Sequence, residues 1–252
     1  MTYVLSDIHG NMRRFHSILR QIDLKSEDTL YILGDVIDRH PHGIKILREI
    51  MAMPNAKMLL GNHEYMMLRA IGEPYDGPED IRGREPDELL RLWYRNGGDA
   101  THHFWKHTRL VVRAEILDYL KSLPLNIDVV VDGTPYKLVH AAALDRYEEY
   151  VPEGHDQETQ THFAVWNREA SLDYARLDGY TLVFGHTPTC YITMDNPMCI
   201  WREGQRIGID CGAGWPDEQK ISWMMPTNGR LACLRLEDMK EFYSEEPGLE
   251  LI

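Results

Sequence analysis

The sequence predicts an α/β fold, because short apolar strands alternate with amphipathic helices in its first 70 residues. Three such units follow one another, with strands expected at Thr2–Ser6, Leu30–Leu33 and Lys57–Leu60. Each strand ends in serine or glycine beside polar side chains. Ligands of open α/β sheets bind outside the carboxyl ends of the strands. Three polar turns in register therefore indicate one shared site rather than three unrelated loops.

The first polar turn is Asp7-Ile8-His9-Gly10-Asn11, directly after the first strand. Residues two apart in an extended segment point the same way, so Asp7 and His9 are expected to hold one ion between them. Taken alone, an Asp-x-His sequence is more often a turn aspartate beside a surface histidine. The apolar face of the next helix is predicted from its spacing, at Met12, Phe15, Ile18, Leu19 and Ile22.

The second turn, Gly34-Asp35-Val36-Ile37-Asp38-Arg39, brings two carboxylates and a guanidinium to one strand end. Carboxylates bind cations and a guanidinium binds anions, so this turn suggests a metal beside a phosphate. The third turn is Gly61-Asn62-His63-Glu64, which precedes another helix.

Later strands deliver further polar groups. His140 follows a strand at Tyr136–Val139, and His186 follows one at Thr181–Phe184. Their positions at strand ends favour the site over a core location. Arg168, in Trp166-Asn167-Arg168, is a further candidate.

The last part of the chain is predicted to complete a second sheet. The expected strands are Arg206–Ile209, Ile221–Met225 and Leu231–Leu236. Asp210 follows the first of these and is compatible with either a ligand-orienting role or a turn cap. The charged tail from Glu237 is expected to be peripheral.

Two segments are interpreted as additions beside the site. Gly72 to Leu110 is interrupted by glycine, proline and charge, and is taken as an insertion with some helix. It contains His103 and His107 at helical spacing, but acidic or thiol partners are not close in sequence, so a helix face is favoured over a metal site. The acidic segment from Asp145 to Thr161 is expected to be a solvated loop over or beside the crevice.

Size and composition restrict the function classes. The chain has 252 residues, 43% of them hydrophobic, and one domain over 1–252 is expected. Lys and Arg total 27 against 40 Asp and Glu, and the net charge of -13 disfavours a nucleic-acid duplex as partner. Four cysteines without CxxC spacing are expected to be free thiols. With no basic leader region or membrane-length apolar stretch, a cytoplasmic location without membrane contact is expected.

The residue types define the chemistry. Mixed oxygen and imidazole ligands without thiolates suit Mn, Fe, Zn or Co ions, and the number of ligands implies two metals. A carboxylate can bridge two ions, and water between them would lose a proton near neutral pH and become a nucleophile. The candidate site residues are Asp7, His9, Asp35, Asp38, Arg39, Asn62, His63, His140, Arg168 and His186.

These turns resemble the five ordered sequence blocks of the binuclear metallophosphoesterases. The Asp-Arg and Asn-His-Glu endings resemble the phosphoprotein phosphatase branch, which includes bacterial and phage serine/threonine protein phosphatases and symmetrical diadenosine tetraphosphatases. The resemblance spans nearly the whole chain. Further matching features are Trp93 with Asn96-Gly97-Gly98, Trp166-Asn167-Arg168 and Gly208-Ile209-Asp210-Cys211-Gly212-Ala213.

The resemblance implies a calcineurin-like fold, a four-layer α-β-β-α sandwich of two mixed sheets. It also implies two divalent cations, with Mn²⁺ expected and Fe, Zn, Co or Ni as alternatives. The implied ligands are Asp7, His9 and Asp35 for the first metal, and Asp35, Asn62, His140 and His186 for the second. His63 would protonate the leaving oxygen with Asp38 paired to it, while Arg39 and Arg168 would hold the phosphate, with Asn62 also near the substrate. Two departures from the family pattern concern the substrate-facing surface, namely His40 and Ala141-Ala142 at positions where glycine is usual.

Three functions are compatible with this sequence. The first is a metal-dependent phosphomonoesterase acting on phosphoserine or phosphothreonine in proteins, and also on phosphotyrosine. It would use a metal-bridging hydroxide as nucleophile and a histidine as general acid. The alternative is a symmetrical dinucleoside tetraphosphate (Ap4A) hydrolase or another nucleotide phosphatase. The third is a non-catalytic module that binds metal or phosphorylated ligands, which the complete set of site residues disfavours. The sequence leaves the oligomeric state open.

Overall fold

The computed structural model describes the chain at residues 1–71, 86–150, 157–168, 170, 179–215 and 229–245. Within these residues, ten strands form two five-stranded sheets flanked by helices. The strands are β1 (Thr2–Leu5), β2 (Thr29–Ile32), β3 (Ala56–Met58), β4 (Asn126–Val131), β5 (Thr134–Val139), β6 (Thr181–Phe184), β7 (Trp201–Glu203), β8 (Arg206–Gly208), β9 (Ala232–Arg235) and β10 (Lys240–Tyr243). The helices are α1 (Met12–Ile22), α2 (Gly43–Met51), α3 (Asn62–Ile71), α4 (Pro86–Arg95), α5 (Gly98–Trp105), α6 (Leu110–Lys121), α7 (Tyr147–Tyr150) and α8 (Gln157–Trp166).

Both sheets are mixed, which confirms the predicted α/β class. The first sheet has the order β10-β9-β1-β2-β3, with β1, β2 and β3 parallel and β9 antiparallel to β1. The second has the order β4-β5-β6-β8-β7, with β5, β6 and β8 parallel. Because the parallel strands of each sheet end on the same side, their carboxyl-terminal turns are brought together.

An apolar core joins the two sheets. Val4 of β1 and Leu234 of β9 belong to the same buried cluster as Leu138 of β5 and Val183 of β6. The other face of the first sheet packs against helices, where Phe15 and other side chains of α1, α2, α3 and α6 are buried. Side chains alternate across a strand, so each strand of the first sheet contributes to both layers.

Three sequence predictions about this architecture are wrong. The Leu231–Leu236 segment forms β9, which joins the first sheet instead of the second, because strand periodicity does not specify a pairing partner. The tail after Glu237 is not peripheral, since β10 pairs with β9 and buries Phe242. The acidic Asp145–Thr161 segment contains α7 and the first half of α8 where a loop was expected.

Other predictions fall partly outside the described residues. The expected strand Ile221–Met225 lies outside them, as do residues 72–85 and 151–156. The described remainder of the expected insertion consists of α4 and α5, which pack against the core through Trp93 and Trp105. His103 and His107 are exposed and their rings contact each other at 5.6 Å.

All four cysteines are free thiols. Among the described helices, none combines the length and the apolar character that crossing a bilayer would require.

A matched pair of valines tests the core between the sheets. Val183 is fully buried, whereas Val130 of β4 is 67% exposed. We expect Val183→Ala to lower the free energy of unfolding by about 2 kcal/mol, from the lost apolar burial plus the cavity that remains. Val130→Ala should change it by less than about 0.5 kcal/mol. Urea unfolding monitored by circular dichroism measures both, and equal losses would contradict this packing.

Candidate functional site

The site is assembled by backbone hydrogen bonds between adjacent strand-end turns. The amides of Asp7 and His9 donate to the carbonyls of Gly34 and Asp35 at 3.1 and 2.9 Å. The amide of Gly10 donates to the carbonyl of Val36 at 2.7 Å. These bonds continue the β1–β2 pairing beyond the strands, so the first two turns form one unit.

The backbone of these turns adopts an unusual conformation. Asp7 and His9 have φ of 55° and 49°, in the left-handed region, so the extended geometry expected for this pair is wrong. Their side chains nevertheless remain neighbours, because the His9 Nε2 atom lies 3.8 Å from Asp7 Oδ1. Four more candidate residues share positive φ, namely Asp35, Asp38, Arg39 and His186.

Glycine allows two turns to meet. A Cβ atom on Gly34 would lie 2.6 Å from the Cα atom of Gly61, so a side chain there would separate the second and third turns. Gly185 similarly packs against Ser6 and Asp7, which joins the turn after β6 to the turn after β1.

Asp35 lies at the centre of the group. Its Oδ2 atom is 3.8 Å from His9 Nε2 and its Oδ1 atom is 3.6 Å from His140 Nε2. The two oxygens therefore face two different sets of ligands. Burial opposes ionisation of Asp35, yet the nearby His140 and His63 lower its pKa below the ordinary value. For Asp7, burial and the charge of Asp35 raise the pKa.

The second set of ligands consists of an amide and two imidazoles. Asn62 Oδ1 lies 3.0 Å from His140 Nε2 and 2.9 Å from His186 Nδ1. The other ring nitrogen of His140 contacts the carbonyl of Leu33 at 2.7 Å, so Nδ1 is the donor, and in the neutral imidazole Nε2 carries the lone pair. An amide oxygen and an imidazole lone pair directed at each other are satisfied by a shared cation.

The protonation states also fit cation binding. Burial, the charge of Arg39 and the nearby His63 hold the pKa of His9 well below its usual value. Burial, His140 and Arg168 do the same for the pKa of His186. Neutral imidazoles are the form that ligates metals. Among the residues that the structure describes, two groups of possible metal ligands have ligand atoms within 4.8 Å of one another, namely His9 with Asp35 and His63, and Asp35 with His140 and His186.

His63 is paired with a buried carboxylate. Its Nδ1 atom lies 2.7 Å from Asp38 Oδ2, and Arg39 Nη2 lies 3.4 Å from its Nε2 atom. Burial opposes the charged imidazole, but the carboxylates of Asp35 and Asp38 raise the pKa of His63 above its ordinary value. A cationic imidazole with its Nε2 toward the cluster is suited to proton donation.

Two arginines lie at the exposed edge of the site. Arg39 follows Asp38 and is exposed. Arg168, also exposed, donates from Nη1 to Thr187 Oγ1 at 2.9 Å, next to His186 in sequence. Asp210 is buried and accepts from the amide of Gly212 at 2.9 Å, which is the turn-cap arrangement.

The sequence predicts no site role for three residues that contact the candidate site. The buried carboxylate of Glu64 accepts from the amides of Asp35, Val36 and Ile37 at 2.9, 2.8 and 3.2 Å. Trp93 Nε1 donates to Asp38 Oδ2 at 2.7 Å, and the Asp38 amide donates to Thr101 Oγ1 at 2.8 Å. Glu64 and Trp93 belong to motifs that the sequence analysis identifies, whereas Thr101 belongs to none of them.

Cation binding can be measured directly on this cluster. We expect Mn²⁺ at about 100 times its dissociation constant to stabilise the protein by about 2.7 kcal/mol against unfolding for each site that it occupies, since the ion binds the folded state. Asp35→Asn should remove most of this gain, because the central carboxylate loses its charge. The exposed carboxylate of Asp128 serves as the control, and Asp128→Asn should retain the gain. Thermal unfolding with Mn²⁺ and with EDTA measures each, and an undiminished gain in Asp35→Asn would count against the cluster.

This chain is similar in sequence to proteins named symmetrical bis(5'-nucleosyl)-tetraphosphatase. A symmetrical bis(5'-nucleosyl)-tetraphosphatase from Delftia acidovorans is 36% identical over 130 residues, which are 48% of this chain and 46% of that protein. The match thus spans less than half of the relative's length. A solved structure described as a candidate diadenosine tetraphosphatase has a TM-score of 0.59 at 17% identity, with 98% of this chain and 94% of that chain covered.

A cold-active protein-tyrosine phosphatase from a psychrophilic Shewanella has a TM-score of 0.52 at 14% identity, covering 97% of this chain and 80% of that chain. At such identities these two structures show a shared fold. The calcineurin-like phosphoesterase family model matches residues 2–190, which is most of the sequence. The chain therefore belongs to the calcineurin-like phosphoesterase family.

Proposed function

We propose that this chain hydrolyses phosphate monoesters in a metal-dependent reaction. The observation that carries the proposal is the gathering of acidic, amide and imidazole ligands around Asp35, with the His63–Asp38 pair beside them. The two sheets share one core cluster, which supports a single catalytic domain.

The candidate ligands divide into two sets that share Asp35. Asp7 and His9 complete the first, and Asn62, His140 and His186 complete the second. Two divalent cations bound there would supply Lewis-acid activation of water and of the phosphoryl group. Oxygen and nitrogen ligands without thiolate suit Mn²⁺, which we propose, and also Fe, Zn, Co or Ni.

The side chains around these ligands carry out the remaining steps. Asp38 accepts the Nδ1–H of His63 and directs Nε2 toward the cluster. His63 then donates its Nε2 proton to the leaving oxygen as the ester bond to phosphorus breaks. Arg39 and Arg168 bind the phosphoryl oxygens from the exposed edge, where guanidinium groups fit their geometry. General acid catalysis of this kind contributes about 10²- to 10⁴-fold.

Phosphorylated serine or threonine side chains of proteins are the first candidate substrate. Their alkoxide leaving groups are poor, so they need the proton that a His63–Asp38 pair can deliver. Both arginines are exposed, which suits a phosphate presented on a large partner. Phosphotyrosine fits the same chemistry.

Dinucleoside tetraphosphate is the second candidate substrate. It is favoured by the sequence relatives, such as the Delftia acidovorans protein, that are named symmetrical bis(5'-nucleosyl)-tetraphosphatase. The same ligands and acid would serve a phosphoanhydride bond, so the two candidates differ in the leaving group and in what binds beyond the phosphate.

Removal of the acid tests the proposed reaction. We expect His63→Asn to lower kcat for phenyl phosphate in Mn²⁺ by about 10²- to 10⁴-fold, because the leaving oxygen then departs without a proton. Asp35→Ala should be similarly inactive. His16→Asn is the control, since His16 is 40% exposed and pairs with Glu49 away from the cluster. Near-wild-type rates in folded His63→Asn and Asp35→Ala would refute the proposal.

A direct comparison of substrates separates the two candidates. We expect kcat/KM for a phosphothreonine peptide to exceed that for diadenosine tetraphosphate, each assayed with phosphate or nucleotide release as the signal. The reverse order would assign the chain to the second candidate. We expect the same order of kcat/KM for the two substrates in protein reconstituted with each divalent ion in turn, which would show that the preference is independent of the metal.

A further inference from the structure

We propose that Trp93 is a positioning residue for the general acid, through a hydrogen bond from its indole N–H to the carboxylate of Asp38. The inference rests on the proposed function, because it concerns the proton that His63 delivers. It assigns a reaction role to α4, a helix within the segment that the sequence indicated as an insertion.

The geometry places two donors on one oxygen. His63 Nδ1 and Trp93 Nε1 each lie 2.7 Å from Asp38 Oδ2. The other oxygen, Oδ1, is buried and has no hydrogen-bond partner among the described residues. Rotation of the carboxylate is therefore restrained by these two N–H groups. If the indole bond is removed, the carboxylate can turn and the aim of His63 is no longer fixed.

The indole itself is held firmly. Trp93 and Asp38 are both 0% exposed. A Cβ atom on residue 98 would lie 2.5 Å from the Cε2 atom of the indole, so Gly98 at the start of α5 leaves the space that the ring occupies. His102 of α5 also packs on the ring, with centroids 5.5 Å apart.

The same segment holds the backbone that carries Asp38. The amide of Asp38 donates to Thr101 Oγ1 at 2.8 Å, and the amide of Arg39 donates to the carbonyl of Gly97 at 3.0 Å. These two bonds fix the main chain, whereas the indole bond fixes the side chain. Both the position and the rotation of the Asp38 carboxylate thus depend on residues 93–101.

The reaction gives this role a specific signature. A water oxygen bonds to phosphorus as the bond between phosphorus and the leaving oxygen breaks, and the Nε2 proton of His63 moves to that leaving oxygen. The proton that the attacking water gives up later restores His63. Nδ1–H stays bonded to Asp38 throughout. A leaving group of low pKa departs as an anion without this proton, whereas a phenol leaving group needs it. A misaimed acid therefore slows only the esters with poor leaving groups.

The test removes the N–H donor of Trp93. Trp93→3-benzothienylalanine substitutes sulfur for the indole N–H and keeps the ring shape, and Trp93→Phe is the genetically simple version. We expect kcat for phenyl phosphate to fall about tenfold while kcat for 2,4-dinitrophenyl phosphate changes less than about twofold, with KM for both little altered. Trp105→Phe is the matched control, a buried tryptophan of α5 that packs against Arg113, and it should not separate the two esters.

The outcomes are distinct. An equal loss on both esters would show a structural role only, and unchanged rates would show none, so either result overturns the inference. Wild-type protein inactive on both esters would instead overturn the proposed function. The bond has an independent readout in metal-free protein, where the indole ¹H resonance of Trp93, assigned by its loss in Trp93→Phe, should move upfield in Asp38→Asn. An unmoved resonance would also overturn the inference.

Discussion

The hydrogen bonds accepted by the buried carboxylate of Glu64 are the interaction on which the site depends most. It accepts three successive amides of the turn that carries Asp35, and it lies on α3 directly after Asn62 and His63. In the reverse direction, the amide of His63 donates to Asp35 Oδ1 at 3.0 Å. The second and third turns are thereby locked together, with ligands of both proposed cations on the locked unit. Burial and the charge of Asp35 raise the pKa of Glu64 to about 7, so its ionised form is costly and depends on those three amides.

The electrostatics of the site differ from those of the whole chain. The formal net charge is -13, yet the His63 imidazole, whose cationic form Asp35 and Asp38 favour, and the guanidinium groups of Arg39 and Arg168 lie at the site. The field that a phosphate meets is set by nearby groups, because charges on the far surface are screened within about 8 to 10 Å by salt. A strongly acidic protein is therefore compatible with an anionic substrate.

The sequence was informative about the site wherever a functional group lies within a few residues of a strand end. Asp7, Asp35, Asn62, His140 and His186 all do, and the periodicity of the strands was enough to place them at one edge. Trp93 and Thr101 reach Asp38 from 55 and 63 residues away. No local pattern contains Thr101, and the motif that contains Trp93 does not indicate its partner, since such contacts depend on how helices dock. The metal-binding and catalytic roles of the candidate site residues stay predictions.

The errors in the fold have a related cause. The spacing of apolar residues identified Leu231–Leu236 as a strand but could not name its neighbour, and β9 pairs with β1 of the first sheet. The charged Lys240 and Glu241 made the tail look peripheral, although it forms the edge strand β10 and Phe242 is buried. Charge alone is a poor guide at the edge of a sheet, where natural proteins often place it.

The left-handed backbone at the strand ends has an evolutionary consequence. Six candidate residues other than glycine adopt positive φ, namely Asp7, His9, Asp35, Asp38, Arg39 and His186. Each such conformation costs about 1 kcal/mol or more, and glycine would relieve it while deleting the functional side chain. Substitutions that raise the stability of this protein are therefore expected first at the residues whose side chains form the candidate site. The apolar burial in the two sheets behind the turns offsets the conformational cost of these six residues.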